Sequence, residues 1–433
     1  MMPSRQPLFY GWIVVAALCL VLFITAGIRY AFGPFFKPML HDLQLDRAAL
    51  GLAFALNMLV YGVMQPPLGK FVDERGPRLV LLVSIVALAV GLAGLSLATS
   101  AWQLYLFYGV FAAIGMGGCG TVTAHAVTAR WFVRRRGTAL SLVSFGSMGG
   151  QFILIPLAGY MLLFFDWQTS YLILGAAAVL LVVPLALWVI KDRPELIGLA
   201  PDGDPTAASD GKLATSNRTA DSDNRFSVTE AMRTWQFWLL SAGYSACGFS
   251  ISLYSAHFVA MATDHGVDAL VAATAMGILG GSSMVGVAVV GPLSDRFGRK
   301  NLLAAMYATR GFGLIAMFFV TDPMPLYLLS IALGFGWAGT SGLTSALTGD
   351  FYGRFSVGSI FGWIVLAHQI FAAAAAYVGG LVFDRTGSYF PVFGVSAALL
   401  LLGAALVLTI REAGPITPRR PANTPEPTIA PTT

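Results

Sequence analysis

The sequence predicts an all-α membrane protein, with twelve transmembrane helices in two pseudo-symmetric six-helix bundles. Three observations carry that prediction. Hydrophobic residues make up 57% of the 433-residue chain and charged residues 11%, less than half the roughly 25% of a soluble globular chain. Apolar runs longer than the roughly 18 residues that mark a membrane helix fall at 9–36, 48–69, 79–98, 102–128, 138–165, 168–190, 235–261, 269–292, 302–320, 324–349, 356–383 and 388–410. One polar stretch, 191–234, separates six of these runs from the other six. Helices are the expected form because a lipid-exposed backbone must satisfy its own hydrogen bonds.

The stretch 191–234 is rich in Asp, Ser, Thr, Gly and Pro. It cannot bury enough apolar surface to offset the entropy of ordering, so it reads as a flexible linker with short helical ends. The expected division is a first bundle (1–190), a linker (191–234), a second bundle (235–411) and a tail (412–433) whose Pro/Thr-rich sequence predicts disorder. The formal charge of +5 is a topology signal, with no nucleic-acid partner implied. Of the 26 Lys and Arg, 21 fall in alternate loops, the linker and the termini. The positive-inside rule then places both termini and the linker in the cytoplasm of a cell (inner) membrane. Lys37, Arg47 and Arg385 mark the opposite side, and Arg29 and Arg310 lie inside apolar runs.

Taken in order, run 1 opens with Tyr10 and Trp12, which suit an interfacial aromatic belt. Lys37 is a natural outer anchor, its long stem letting the amine reach water. The run is too long, and too firmly followed by others, to be a cleaved signal peptide. Cys19, Cys119 and Cys247 all sit in apolar runs and read as small packing residues; no disulfide framework or metal site is implied. No run contains Asp or Glu, and no phosphate-binding loop occurs. Neither an enzyme nor a bound cofactor is expected.

Runs 2 and 3 are joined by GKFVDERGPR, and runs 8 and 9 by GPLSDRFGRK. Both read G-x-x-x-D-x-x-G-x-[RK] at equivalent places in the two halves. The gating candidates are therefore Gly69, Asp73, Arg75 and Gly76 in the first half, and Gly291, Asp295, Arg296, Gly298 and Arg299 in the second. Glycine lets helices approach and the loop turn. An aspartate there caps a helix or pairs with an arginine across a helix end.

This repeated loop resembles that of the major facilitator superfamily, over the whole chain. The second copy is complete; the first departs at Glu74 and Pro77. WFVRRRGTALSLVSFGSMGG (131–150) resembles the signature leading into helix 5 of monocarboxylate porters, which include bacterial oxalate/formate-type exchangers. FYGW near the start matches that family's helix-1 signature in part. The resemblance implies alternating access to a central site, with the third helix of each three-helix unit peripheral. Those porters typically carry an Arg in helix 8 near an acidic residue; run 8 here has no charge, so neither role is carried over.

Ionisable groups inside apolar runs are costly and are functional candidates by default. Arg29, beside Tyr30, is the leading anchor, since a guanidinium clamps a carboxylate with two parallel hydrogen bonds. Arg310 lies about 13 Å into run 9 and reads equally as site or structural pair. His368, with Gln369, sits in run 11; His257 lies one turn after Tyr254; His125 is expected at the interface; all three read otherwise as satisfied core histidines, His125 above all. Asn57, Tyr61 and Gln65 recur at i, i+4 and i+8, and Gln151 and Trp337 complete the set. The polar members read otherwise as interhelical hydrogen bonds.

The expected function is a monomeric secondary active transporter of a small organic anion, a monocarboxylate, in the lipid bilayer, with protons or a counter-anion as coupling partners. An exporter of amphipathic or drug-like compounds is the alternative. A transporter-like sensor signalling through the linker is the third reading.

Overall fold

The computed structural model describes residues 9–45, 47–203, 226–264, 266–320 and 322–410. The middle of the expected linker (204–225) and the expected tail (412–433) lie outside these residues. Among the described residues there are twelve long helices: α1 (Tyr10–Phe36), α2 (Arg47–Arg75), α3 (Pro77–Ser96), α4 (Ala101–Trp131), α5 (Arg136–Met161), α6 (Trp167–Val189), α7 (Trp235–Asp264), α8 (Ala269–Phe297), α9 (Arg299–Phe319), α10 (Pro323–Tyr352), α11 (Val357–Thr386) and α12 (Phe390–Leu408). Among the described residues there is no strand.

Eleven of the helices are long and apolar enough to cross a membrane. The exception is α7. It has the length, 30 residues, but Ser241, Ser245, Ser250 and Tyr244 dilute its apolar character. All four are buried as α7 packs against α11 and α12, and Ser250 Oγ donates to the Cys247 carbonyl of its own helix (2.9 Å).

Two hydrophobic cores underlie the two halves. One runs from Val14 to Ile190. The other spans Phe226 to Ile410 and also takes in Val122 and Ala129 of α4. The halves meet along two seams, α2 against α11 and α5 against α8. The repeated loops make the same backbone turn: Gly76 (φ +83°) and Gly298 (φ +90°) immediately precede α3 and α9. A side chain is strained in that left-handed region, and glycine is not.

The loops carrying Lys70 to Arg78, Arg134 to Arg136, Arg296 to Lys300 and Arg354 gather at one end of the bundle, the basic end. Both shoulders of the 191–234 stretch dock there. Trp131 Nε1 donates to the Lys191 carbonyl (3.0 Å), and Glu195 accepts from Arg354 Nη2 (2.8 Å). Asp202 accepts from the backbone N–H groups of Val133 (3.0 Å) and Arg134 (2.8 Å). On the far shoulder, the Phe226 N–H donates to Ser356 Oγ (3.1 Å), and a capping box between Ser227 and Glu230 starts a short helix, Val228–Met232. The Ser227 backbone N–H and then its hydroxyl hold the Glu230 carboxyl below its usual range.

Candidate functional site

A cavity of about 260 Å³ lies between the halves. The first half lines it from α1, α2, α4 and α5, the second from α7, α10 and α11. Of the residues singled out in the sequence, Arg29, Tyr30, Tyr61, Gln151, Trp337, His368 and Gln369 meet there. Among the described residues no Asp or Glu lines the cavity.

Arg29 sits in the last turns of α1, 9% exposed. Its guanidinium carbon lies 4.0 Å above the Tyr61 ring, and its Nε has no hydrogen-bond partner. Among the described residues it has no carboxylate partner. The arginine is held by an aromatic face and by Tyr108, whose hydroxyl donates to the Arg29 carbonyl (3.3 Å). Opposite, the His368 ring packs 4.3 Å from the ring of Tyr244, and its Nδ1 lies 3.2 Å from Gln369 Oε1. Gln151 Nε2 donates to the Ser147 carbonyl at 3.4 Å, leaving its amide oxygen available.

Six candidates lie outside the lining. Asn57 is fully buried and donates to the Tyr108 carbonyl (2.8 Å), tying α2 to α4. Gln65 donates to the Tyr61 carbonyl (3.1 Å) and sits on the α2–α11 seam beside Gly362. Helical geometry explains the split: four residues advance about 400° and eight about 800°, so an i, i+4, i+8 set drifts by some 80°. Only Tyr61 of that set faces the cavity. Tyr254 stands behind Trp337, its ring 5.5 Å away and stacked on Phe258. His257 packs against Tyr389 at 5.2 Å. Arg310, 2% exposed, is turned towards α7: it donates to Cys247 Sγ (3.0 Å), the Cys247 carbonyl (3.3 Å) and Ser250 Oγ. His125, expected at the interface, is instead fully buried between α4, α5 and α11.

The lining also includes Thr25, Thr121, Ser147, Ser255, Thr340, Ser341 and Tyr244, which sequence reasoning missed. Small hydroxyls in an apolar run look like packing residues. Tyr244, Ile251 and Ser255 recur on one face of α7, and that spacing was the available signal.

At the basic end the repeated loops form a crossed latch. The Asp73 carboxylate, on α2, accepts from the N–H groups of Gly358 (3.2 Å) and Ser359 (2.6 Å), at the start of α11 in the other half. It also pairs with Arg130 (3.1 Å). Asp295, on α8, accepts from Gly137 N (3.0 Å), Thr138 N (2.9 Å) and Thr138 Oγ1 (2.7 Å), at the start of α5. Each half thus caps a helix N-terminus of the other, where unpaired N–H groups and the helix dipole favour negative charge. Arg136 and Arg299 both pair with Asp350, and Arg299 also reaches Asp295 (3.3 Å). Arg75 and Arg296 turn outward over Phe71 and Phe297.

The seams are tight at the latch and looser towards the cavity. A Cβ on Gly69 would overlap the Gly358 backbone, whereas one on Gly62, two turns on, would only touch Gln369 Cβ at 3.0 Å. On the other seam a Cβ on Gly137 would overlap Ser294, and one on Gly149 would stand 3.9 Å from Met284. The halves therefore form a wedge, closed at the basic end below the cavity.

The model of the Major Facilitator Superfamily matches residues 18–370 and 240–432. An uncharacterized MFS-type transporter of Bacillus subtilis, YcxA, is 24% identical over 386 residues, 88% of this chain and 90% of that protein. Monocarboxylate transporter 12-B of Danio rerio is 26% identical over 93% of this chain and 87% of its own length. The oxalate:formate antiporter of Oxalobacter formigenes is 24% identical over 86% and 84%. A solved proton:xylose symporter shares the fold, with a TM-score of 0.73 at 16% identity, covering 92% of this chain and 95% of that one.

Proposed function

The chain belongs to the Major Facilitator Superfamily of transporters, and on that premise we propose that it moves a small organic anion, a monocarboxylate, by alternating access. The observation that carries this is Arg29: a guanidinium on the cavity wall with no carboxylate partner among the described residues. A buried charge without a partner is unfavourable, and an anion entering the cavity supplies one. Gln151, Gln369 and His368 add polar contacts on the same cavity. The relatives named for monocarboxylates, oxalate and formate support the same class.

In this reading residues 1–190 and 235–411 are the two moving bodies, joined by the linker 191–234. The basic end faces the cytoplasm, by the positive-inside rule. The conformation at hand is then closed inwards by the Asp73 and Asp295 latches. Protons or a counter-anion would couple transport, and the cavity's ionisable groups for that role are His368 and the substrate itself.

A second reading, export of amphipathic compounds, has its own support in Leu22, Met116, Met148, Tyr244 and Trp337 on the lining. Uptake into proteoliposomes separates the two. Competition by short carboxylates, with loss of uptake in Arg29→Gln, supports the anion reading. Competition by hydrophobic cations, with Arg29→Gln fully active, overturns it in favour of the exporter.

A further inference from the structure

His125 is fully buried in α4, on the basic-end side of Gly120 and Thr121 of the cavity lining. It lies between the cavity and the latch. Its Nε2 is 3.0 Å from Ser144 Oγ on α5. The single Ser144 hydroxyl proton is given to the Leu140 carbonyl (2.9 Å). A hydroxyl has one proton to donate, so Ser144 is the acceptor and His125 Nε2 the donor. Nδ1 is therefore the bare, basic nitrogen, and it is buried with no hydrogen-bond partner. The ring lies against Phe361 of α11, at 5.7 Å and 22°. Phe361 belongs to the other half, so this orphan base sits on a seam that must part when the basic end opens.

The groups facing this position leave it without a counter-charge. On α11, residues 357–367 carry no ionisable side chain. On α5 the facing group is Ser144, and the nearest charge is Arg136, two turns towards the basic end and paired with Asp350 of α10. On α4 itself Arg130 is paired with Asp73 of α2 and with Asp192. The phenols are Tyr61 on α2 and Tyr244 on α7; Tyr244 lies 6.0 Å from the Phe361 ring. The facing part of α1 has no charge before Arg29.

We propose that His125 is a proton-binding site of the transport cycle, empty while the basic end is closed and filled at Nδ1 when the seam opens. A proton on Nδ1 in the closed seam would create an imidazolium whose second N–H has no acceptor, a costly state. With α11 withdrawn, water solvates the same N–H. Protonation therefore favours the open state, and closing the basic end requires the proton to leave. The proposal rests on the alternating-access reading above.

The test is the distance between spin labels on Glu74→Cys and Arg296→Cys, exposed at the basic end on opposite halves, in full-length protein in nanodiscs. Lowering the pH from 8 to 5 should raise the open-to-closed ratio up to about thirtyfold. That figure follows from an open-state imidazole titrating near its free value of roughly 6.5. His125→Gln keeps a donor for Ser144 but no titrating group, and should abolish the response; His125→Asn is the second variant. His41→Gln, exposed at the opposite end of the bundle, should leave the response intact. A flat pH response in the unsubstituted protein overturns the proposal, as does a response kept in His125→Gln. Those results leave alternating access standing if a carboxylate substrate still changes the distance. If neither substrate nor pH changes it, alternating access itself fails.

Discussion

Arg29 is held by a ring face and faces open cavity space. Losing one partner of a desolvated, hydrogen-bonded charge pair costs about 2–5 kcal/mol. Arg29→Gln is therefore expected to weaken carboxylate binding by well over tenfold, read by calorimetry on purified, folded protein. Arg29→Lys should recover only part, because an ammonium lacks the planar two-bond geometry. Arg310 is the control of the same chemistry. Its donors are tied to Cys247 and Ser250, so Arg310→Gln should lower the melting temperature, each lost bond to a charged group being worth about 1.5–3 kcal/mol. It should change affinity far less than Arg29→Gln does. The reverse pattern, with Arg310→Gln losing affinity and Arg29→Gln keeping it, would move the anchor to α9.

At the scale of elements, the proposed closure rests on two helix ends. Asp295 accepts three hydrogen bonds from the start of α5 and pairs with Arg299. Asn has a neutral oxygen and cannot supply the charge that favours this helix terminus, an effect of about 0.3–1 kcal/mol at exposed sites and more when partly buried. Asp295→Asn should slow transport more than it weakens substrate binding, and should raise labelling at the basic end. Transport at the unsubstituted rate would remove Asp295 from the gate. The seam itself is tested at Gly69, where the contact is backbone against backbone. No rotamer change relieves a Cβ there, so Gly69→Ala should hold α2 and α11 apart and favour the form open at the basic end. Gly62→Ala, facing a side chain at 3.0 Å, should be far milder.

For the whole molecule, orientation is tested at its two ends. The loop between α3 and α4 lies at the end opposite the basic loops, and Leu97 there is 78% exposed. Leu196, 59% exposed, lies on the docked shoulder of the linker at the basic end. An impermeant thiol reagent added to intact cells should label Leu97→Cys and spare Leu196→Cys. Labelling of Leu196→Cys alone would invert the proposed orientation. The linker shoulder also joins the proposed gate, since Glu195 holds Arg354, and Arg354 Nη1 donates to the Arg130 carbonyl (3.2 Å). Opening the basic end has to break this contact along with the two aspartate caps.

The all-helical fold was legible in the sequence because lipid imposes it, and the two halves and the family because one polar stretch divides the apolar runs and a loop motif repeats on either side of it. Apolar run length is a one-dimensional property, and a helix is the form that satisfies its own backbone there. The latch aspartates were legible for a similar reason: the loop motif repeats at matching places, at Asp73 and Asp295. Partner identity was not legible. Each aspartate reaches across to the other half, to Gly358 and Ser359 or to Gly137 and Thr138, and nothing in the linear spacing encodes that crossing. The same limit separated Arg29 from Arg310. Both are arginines deep in apolar runs, and only the rotation of α1 and α9 decides that one meets the cavity and the other meets α7. Asn57, Tyr61 and Gln65 looked like one face; helical drift over two turns aims only Tyr61 at the cavity. His125 read as interfacial by its distance from the end of the run. Packing of α11 against α4 buried it, because burial depends on what a second helix covers, and that is decided only in three dimensions.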